Sequence, residues 1–176
     1  MQFRPTPLPG AFVIELEPAV DARGFFARTW CAREFAAHGI EMQVSQCNVS
    51  FNRAQHTLRG MHYQAGAHAE AKVVSCSRGA VYDVILDLRP ASPTFKRYFA
   101  LELNDDNRRM LYIPPGLAHG FETLLDHTEL HYAMSTFYEP SAARGVRWND
   151  PAFAIPWPAP PQLMSDRDRG YADFEG

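Results

Sequence analysis

An all-β sandwich or barrel is the fold this sequence predicts, and three observations predict it. Fourteen prolines and eleven glycines break the chain at short intervals. Between the breaks lie short runs rich in β-branched and aromatic residues, the pattern of strands joined by turns. Only one stretch reads as helix.

The expected strands are 11–17, 43–51, 58–64, 72–76, 80–88, 96–103, 109–113 and 128–138. Side chains alternate across a strand, so parity assigns faces. Leu130, Tyr132 and Met134 share an apolar face, which turns Tyr132 inward and leaves Glu129 and His131 outside. Lys72 shares a face with Val74 and Cys76, which places a lysine at a barrel mouth or in a polar site. Leu58, Gly60, His62 and Gln64 align, with Arg59 opposite unless a bulge intervenes at Gly60. The helix is expected over 29–39, with Trp30, Phe35 and Ala36 as its apolar stripe and Gly39 closing its end. The proline-rich run 156–161 must be extended, because proline forbids helix there. It delivers Ser165-Asp166-Arg167-Asp168 to a specific place. No repeat or linker divides the chain, so residues 1–176 are expected to form one domain.

Composition narrows the function classes. The apolar fraction is 46% and the charged fraction 21%, an ordinary globular balance. A net charge of −3 points to neither nucleic acid nor a membrane surface as partner. Cys31, Cys47 and Cys76 are odd in number and form no C-x-x-C pair, which favours a reducing, cytoplasmic setting over a disulfide framework. No apolar h-region follows Arg4, and no run approaches the ~20 residues needed to span a bilayer.

Two motifs carry the chemistry. Pro114-Pro115-Gly116-Leu117-Ala118-His119 fits the P-x-G-x-x-H pattern of the second cupin motif, and cupins are double-sheet jelly rolls. His62-Tyr63-Gln64, Glu70 and Gly79 fill the first cupin motif, with Gln64 where a metal site would place its second histidine. That exchange removes a good imidazole ligand and demotes a metal. A structural core would not gather His62, His119, Lys72, Arg59, Tyr132 and Asp168, because each ionisable group costs desolvation unless paired.

On further motifs the sequence resembles the dTDP-4-dehydrorhamnose 3,5-epimerase family along nearly its whole length. These are Asp21-x-Arg23-Gly24-x-Phe26, Gln46-Cys47-Asn48-Val49-Ser50, Leu58-Arg59-Gly60-Met61-His62-Tyr63-Gln64, Ser92-Pro93-Thr94, Trp148-Asn149-Asp150-Pro151 and Ser165-Asp166-Arg167-Asp168. The resemblance implies a cupin-fold barrel with a few short helices. It also implies a nucleotide-linked 4-keto-6-deoxyhexose as substrate and a reaction needing neither metal nor redox cofactor. His62 matches the family's base, Asp168 its orienting carboxylate, Lys72 the cation beside the enolate and Tyr132 the proton donor. Arg23 and Arg59 match residues that hold diphosphate and sugar, a task suited to guanidinium forks. Gln46, Asn48 and His119 match polar contacts, Tyr138 an aromatic stacked on the nucleobase, and Arg167 replaces a family lysine. The resemblance further implies a homodimer with an exchanged N-terminal strand, so that a partner chain contributes binding residues.

Three departures stand out. Arg28 and Ala143 occupy positions usually held by glutamate in the nucleotide-binding part of the pattern. If both face the ligand, the site becomes more positive, and Arg28 joins the expected binding set. The loop 51–57 is one residue longer and has no glycine. From these, a deoxysugar pathway other than plain rhamnose is the expectation, with inversion at C3, at C5 or at both left open and C3 alone the variant the departures suggest. Two other functions fit the residues less well: a metal cupin such as a dioxygenase using His62, Glu70 and His119, and a non-catalytic binder of sugar nucleotides.

Overall fold

A computed structural model describes residues 1–175. Thirteen strands form two antiparallel sheets and a hairpin. The larger sheet runs β1 (Gln2–Pro5), β2 (Phe12–Glu15), β10 (Met110–Ile113), β7 (Lys72–Arg78), β12 (Thr128–Met134) and β5 (Gln46–Asn52). The smaller runs β13 (Ala143–Gly145), β6 (Leu58–Gln64), β11 (Leu117–Thr123), β8 (Ala80–Asp87) and β9 (Tyr98–Asn104). The remaining strands, β3 (Ala19–Asp21) and β4 (Gly24–Phe26), pair only with each other. The expected double-sheet barrel is therefore present.

Strand parity explains the layering. Val74, Cys76, Ile85, Leu111, Phe121 and Leu130 meet between the sheets, and their neighbours in sequence face outward. On the outer side of the larger sheet, Ile14, Val73, Met110 and Tyr112 are covered by Phe35 from helix α1 (Ala32–Ala37). Phe35 is fully buried, worth roughly 1.5–3 kcal/mol relative to an exposed ring. Met61, Val84, Leu86 and Ala118 are covered by Val146, Phe153 and Ile155 of the C-terminal segment. Because both faces of the central strands are buried, their sequences read as continuous apolar runs rather than as clean alternation.

The structure corrects several expectations. Helix α1 is shorter than 29–39, and Ala36 is exposed; Ile40, not Ala36, completes the apolar stripe with Trp30 and Phe35. Gly39 has φ +73° just past the helix, as its capping role requires. Strands β1, β3, β4, β11 and β13 and a short second helix, α2 (Asp166–Arg169), come in addition to the expected elements. Strand β11 overlaps the second cupin motif, whose Pro-Pro-Gly start reads as a turn and hides the strand behind it. The tail has no helix through the prolines, as expected, but it is not uniformly extended. It bends at Pro158 and Ala159, and the Trp157 N–H donates to the Ile155 carbonyl. Beyond the bend Leu163 bridges Thr57 in parallel and accepts from the Leu58 N–H at 2.9 Å.

Candidate active site

The site is built on an irregularity in β6. His62 pairs with His119 of β11, but Arg59 pairs with Phe121, so Gly60 and Met61 together oppose Gly120. This β-bulge shifts parity and brings Arg59 to the cavity side with His62, both lining the same hollow. Only glycine fits here. Gly60 has φ +137°, and a Cβ on it would lie 2.5 Å from the Gly120 Cα. The bulge also releases the Gly60 N–H from the ladder, and that N–H donates to Asp168 Oδ2 at 3.2 Å.

Asp168 arrives from the tail. The Ser165 hydroxyl caps α2 by accepting from the Asp168 N–H at 3.1 Å, which fixes the backbone that carries the carboxylate. Asp168 Oδ1 meets His62 Nε2 at 2.6 Å. Burial alone would raise the Asp168 carboxyl. The hydrogen bond and charge of His62, with the Gly60 N–H and Ser165, outweigh burial and hold it below its ordinary value, so it stays anionic. With Nε2 committed, Nδ1 is the ring nitrogen of His62 left for a ligand, and the side chain is 40% exposed to the cavity.

The hollow between the sheets measures about 590 Å³, with an adjoining lobe of about 410 Å³. His62, Lys72, Asn48 and Arg167 line both parts. Tyr132 lines the larger part and packs edge-on against His119, ring centres 6.0 Å apart. Burial, reinforced by the nearby Asp83 charge, pushes its hydroxyl far above the ordinary phenol value and keeps it protonated. Lys72 is buried and ion-paired to Glu70 at 2.9 Å. His119 is held from behind, its Nε2 lying 2.9 and 3.1 Å from the two oxygens of the fully buried Asp83. Arg59 Nε donates to Asn52 Oδ1 at 2.7 Å, which aims the guanidinium.

Gln46, Asn48 and Tyr138 border the smaller lobe. Gln46 Oε1 accepts from the Tyr138 N–H at 3.0 Å, so strand β5 holds the loop that carries the aromatic ring. Arg167 stands at the mouth, its Nε donating to the Tyr171 hydroxyl at 2.9 Å. Gln64 is spent on structure: its amide donates to the carbonyls of His68 and Phe137, and its oxygen accepts from the Glu139 N–H. The cupin metal set therefore does not assemble. Both histidines give Nε2 to carboxylates, Gln64 serves backbone and Glu70 serves Lys72. Among the described residues, no three His, Cys, Asp or Glu side chains are grouped to hold a metal ion.

Two expected binding residues stand elsewhere. Arg23, on the β3–β4 turn, is 90% exposed and pairs with Asp21. Arg28 pairs with Glu34 at 2.7 Å, outside the hollow of its own chain. Ala143 does line the smaller lobe. The combined charge change expected at Arg28 and Ala143 thus reduces, within one chain, to the missing carboxylate at 143. In the long loop, His56 itself adopts φ +56°, and its Nδ1 meets the fully buried Glu122 at 2.7 Å. The His56 carbonyl accepts from the Gln162 N–H at 2.9 Å, so this loop ties down the tail that carries Asp168.

Sequence reasoning missed Asp83, Asn52, Tyr171 and the His56–Glu122 pair as parts of the site. Asp83 had a signal: it is a charged residue on the Val81–Ile85 face of an otherwise apolar strand. Asn52 and Tyr171 had none, since their partners lie seven and four residues away around turns.

Comparison with known proteins agrees with this geometry. Residues 5–176 match the family model described as dTDP-4-dehydrorhamnose 3,5-epimerase. A Shigella flexneri relative described by the same name is 38% identical over 164 residues, covering 93% of this chain and 90% of the relative. A Streptomyces niveus relative described as dTDP-4-dehydrorhamnose 3-epimerase is 37% identical over 170 residues, covering 96% and 82%. The crystal structure of dTDP-4-dehydrorhamnose 3,5-epimerase from Bacillus anthracis, with TDP and PPi bound, superposes with a TM-score of 0.95 at 38% identity. It covers 98% of this chain and 99% of that one. The chain belongs to the dTDP-4-dehydrorhamnose 3,5-epimerase family.

Proposed function

We propose that the chain epimerises a nucleotide-linked 4-keto-6-deoxyhexose of the dTDP-4-dehydro-6-deoxyglucose type, inverting C3 and C5 in deoxysugar biosynthesis. The observation that carries this reading is one hollow lined by a histidine–carboxylate pair, a protonated tyrosine and a lysine. C3 and C5 both flank the C4 ketone, so loss of either proton gives an enolate. His62 Nδ1 takes the proton, and Asp168 steadies the imidazolium that results. Charge moves to the C4 oxygen, where the Lys72 ammonium stabilises it in a site sheltered from water. Tyr132 returns a proton to the opposite face, which inverts the centre. The His62 proton then passes to solvent and the Tyr132 phenolate takes one up from solvent, which restores both groups. Arg59 and Arg167 supply positive charge for the diphosphate. The TDP in the Bacillus anthracis structure supports a nucleotide diphosphate as the ligand class.

The test is solvent-deuterium incorporation into dTDP-4-keto-6-deoxyglucose, followed by NMR. Label at C3 and C5 with inversion at both is the expected result. Label at C3 alone would reduce the chain to a 3-epimerase, the activity named for the Streptomyces niveus relative. No label at either carbon would overturn the reading.

We infer a homodimer in which the β3–β4 hairpin is the exchanged arm. The first strand pairs within its own chain with β2, whereas the hairpin pairs only with itself. Val20 and Phe26 on it are 76% and 79% exposed, and the outer face of β5 exposes Val49 and Phe51. Exposed apolar surface of this kind marks an interface. We also infer a cytoplasmic enzyme, supported by three cysteines that are all free. No helix among the described residues is long and apolar enough to cross a membrane.

A further inference from the structure

Glu70 differs from every other buried carboxylate among the described residues. Asp83, Asp87, Glu122, Asp150 and Asp168 each place both oxygens on protein partners. Glu70 is 6% exposed, its Oε1 lies 2.9 Å from Lys72 Nζ, and its Oε2 has no partner. An acid kept for structure is satisfied on both oxygens, because a buried lone pair without a donor costs stability. What Glu70 has instead is one cation, and that cation lines both parts of the hollow.

We propose that Glu70 is a positioning residue that fixes the Lys72 ammonium at the wall where the C4 oxygen becomes an enolate. The proposal rests on the epimerase reading above. Lys72 opens β7 and Glu70 stands two positions before it, close enough along the chain for the 2.9 Å ion pair. The ammonium has three N–H groups, and Glu70 is its single ionic partner among the described residues. The rest remain for a ligand oxygen. The alternative anion lining the hollow is Asp168, which His62 requires. Glu70, beside Lys72 in the wall of the smaller lobe, holds the cation by charge while leaving the histidine pair undisturbed. A flexible lysine without such an anchor would have to be ordered by the substrate at each turnover, and stabilisation of the transition state would fall.

The chain contains two lysines, Lys72 and Lys96, so selective labelling with 15N-lysine reads Lys72 directly. Glu70→Gln keeps the shape and removes the charge; Glu70→Asp keeps the charge. Folding of each is checked by its melting temperature. Expected for E70Q is a fall in kcat of about tenfold or more with KM changed less than about threefold, since the interaction matters in the transition state and not in the ground state. E70D should recover most of the loss. The Lys72 ammonium signal should persist in the wild type and E70D and broaden by exchange in E70Q, with Lys96 unchanged. Wild-type kcat in E70Q, no recovery in E70D, or a Lys72 signal indifferent to both substitutions would each overturn the proposal. The spectra need no substrate. A wild-type chain that fails to label its sugar would therefore sink the function proposed above, while the ion-pair claim would still be decided by the spectra.

Discussion

In the proposed reaction proton transfer is divided between His62, backed by Asp168, and Tyr132, and the environments of Asp168 and Tyr132 act in opposite senses. Asp168 is held anionic by donors, and Tyr132 is held neutral by burial. This division makes their substitutions separable. His62→Ala removes the base, so deuterium exchange at both C3 and C5 should fall by ~10²–10⁴. Tyr132→Phe leaves the base and the enolate intact. It should still wash deuterium into the substrate, returned on the His62 face, while inverted product falls by a comparable ~10²–10⁴. NMR of the recovered sugar in deuterated water distinguishes label with retention from label with inversion. Equal loss of exchange in both variants would mean that Tyr132 is not a separate donor. The residues of this set were legible in the sequence because each lies in a short distinctive run. Their supports were not. Asn52 meets a partner that only the fold brings near, and the charge of Asp83 on an apolar strand face signals a partner without naming His119. Gln64, which looks like a failed metal ligand, proves to brace the loop carrying Tyr138.

The element that matters most is the bulged strand β6. Straight β6 would place Arg59 and His62 on opposite faces, and the Gly60 N–H would remain in the ladder. The bulge changes both at once, so the proposed binding residue Arg59 and the proposed base His62 depend on one local irregularity. Parity arguments from sequence give the face of every residue in a regular strand such as β12, where Tyr132 faces inward as expected. They fail at a bulge, because one extra residue reverses every assignment beyond it. Gly60→Ala tests the element. Its Cβ would meet the Gly120 Cα and the His119 carbonyl, both backbone, at a φ that alanine rarely adopts. A loss of about 2–4 kcal/mol in denaturant unfolding is expected, in the range for strain at a special backbone conformation combined with overpacking. Activity should fall further than the unfolded fraction explains, since Asp168 loses the Gly60 N–H. Wild-type stability in the variant would show that the bulge relaxes at no cost.

For the molecule as a whole, the two sheets and their covering layers account for the hollow, while the β3–β4 hairpin joins neither sheet and touches its own chain through Phe25, which lies under the Arg108 guanidinium. Arg23 at its tip is nearly fully exposed and does not line the hollow of its own chain. The exchange of arms proposed above would give Arg23 a place at the partner's hollow. Complementation tests this more sharply than sizing a dimer. His62→Ala destroys a site in its own barrel, whereas Arg23→Ala is expected to damage the site of the partner. Mixed by co-expression in equal amounts, half of the dimers would be hybrids. Each hybrid would carry one site with neither substitution, its barrel from the R23A chain and its arm from the H62A chain. Activity should then recover to about a quarter of the wild-type value, half of the sites in half of the dimers, above the residual activity of either variant alone. If each arm served its own barrel, every site in the mixture would carry one lesion and no recovery would be seen. The hybrid isolated with two affinity tags makes the outcome quantitative: about half the wild-type rate per dimer under exchange, and the mean of the two parent variants without it.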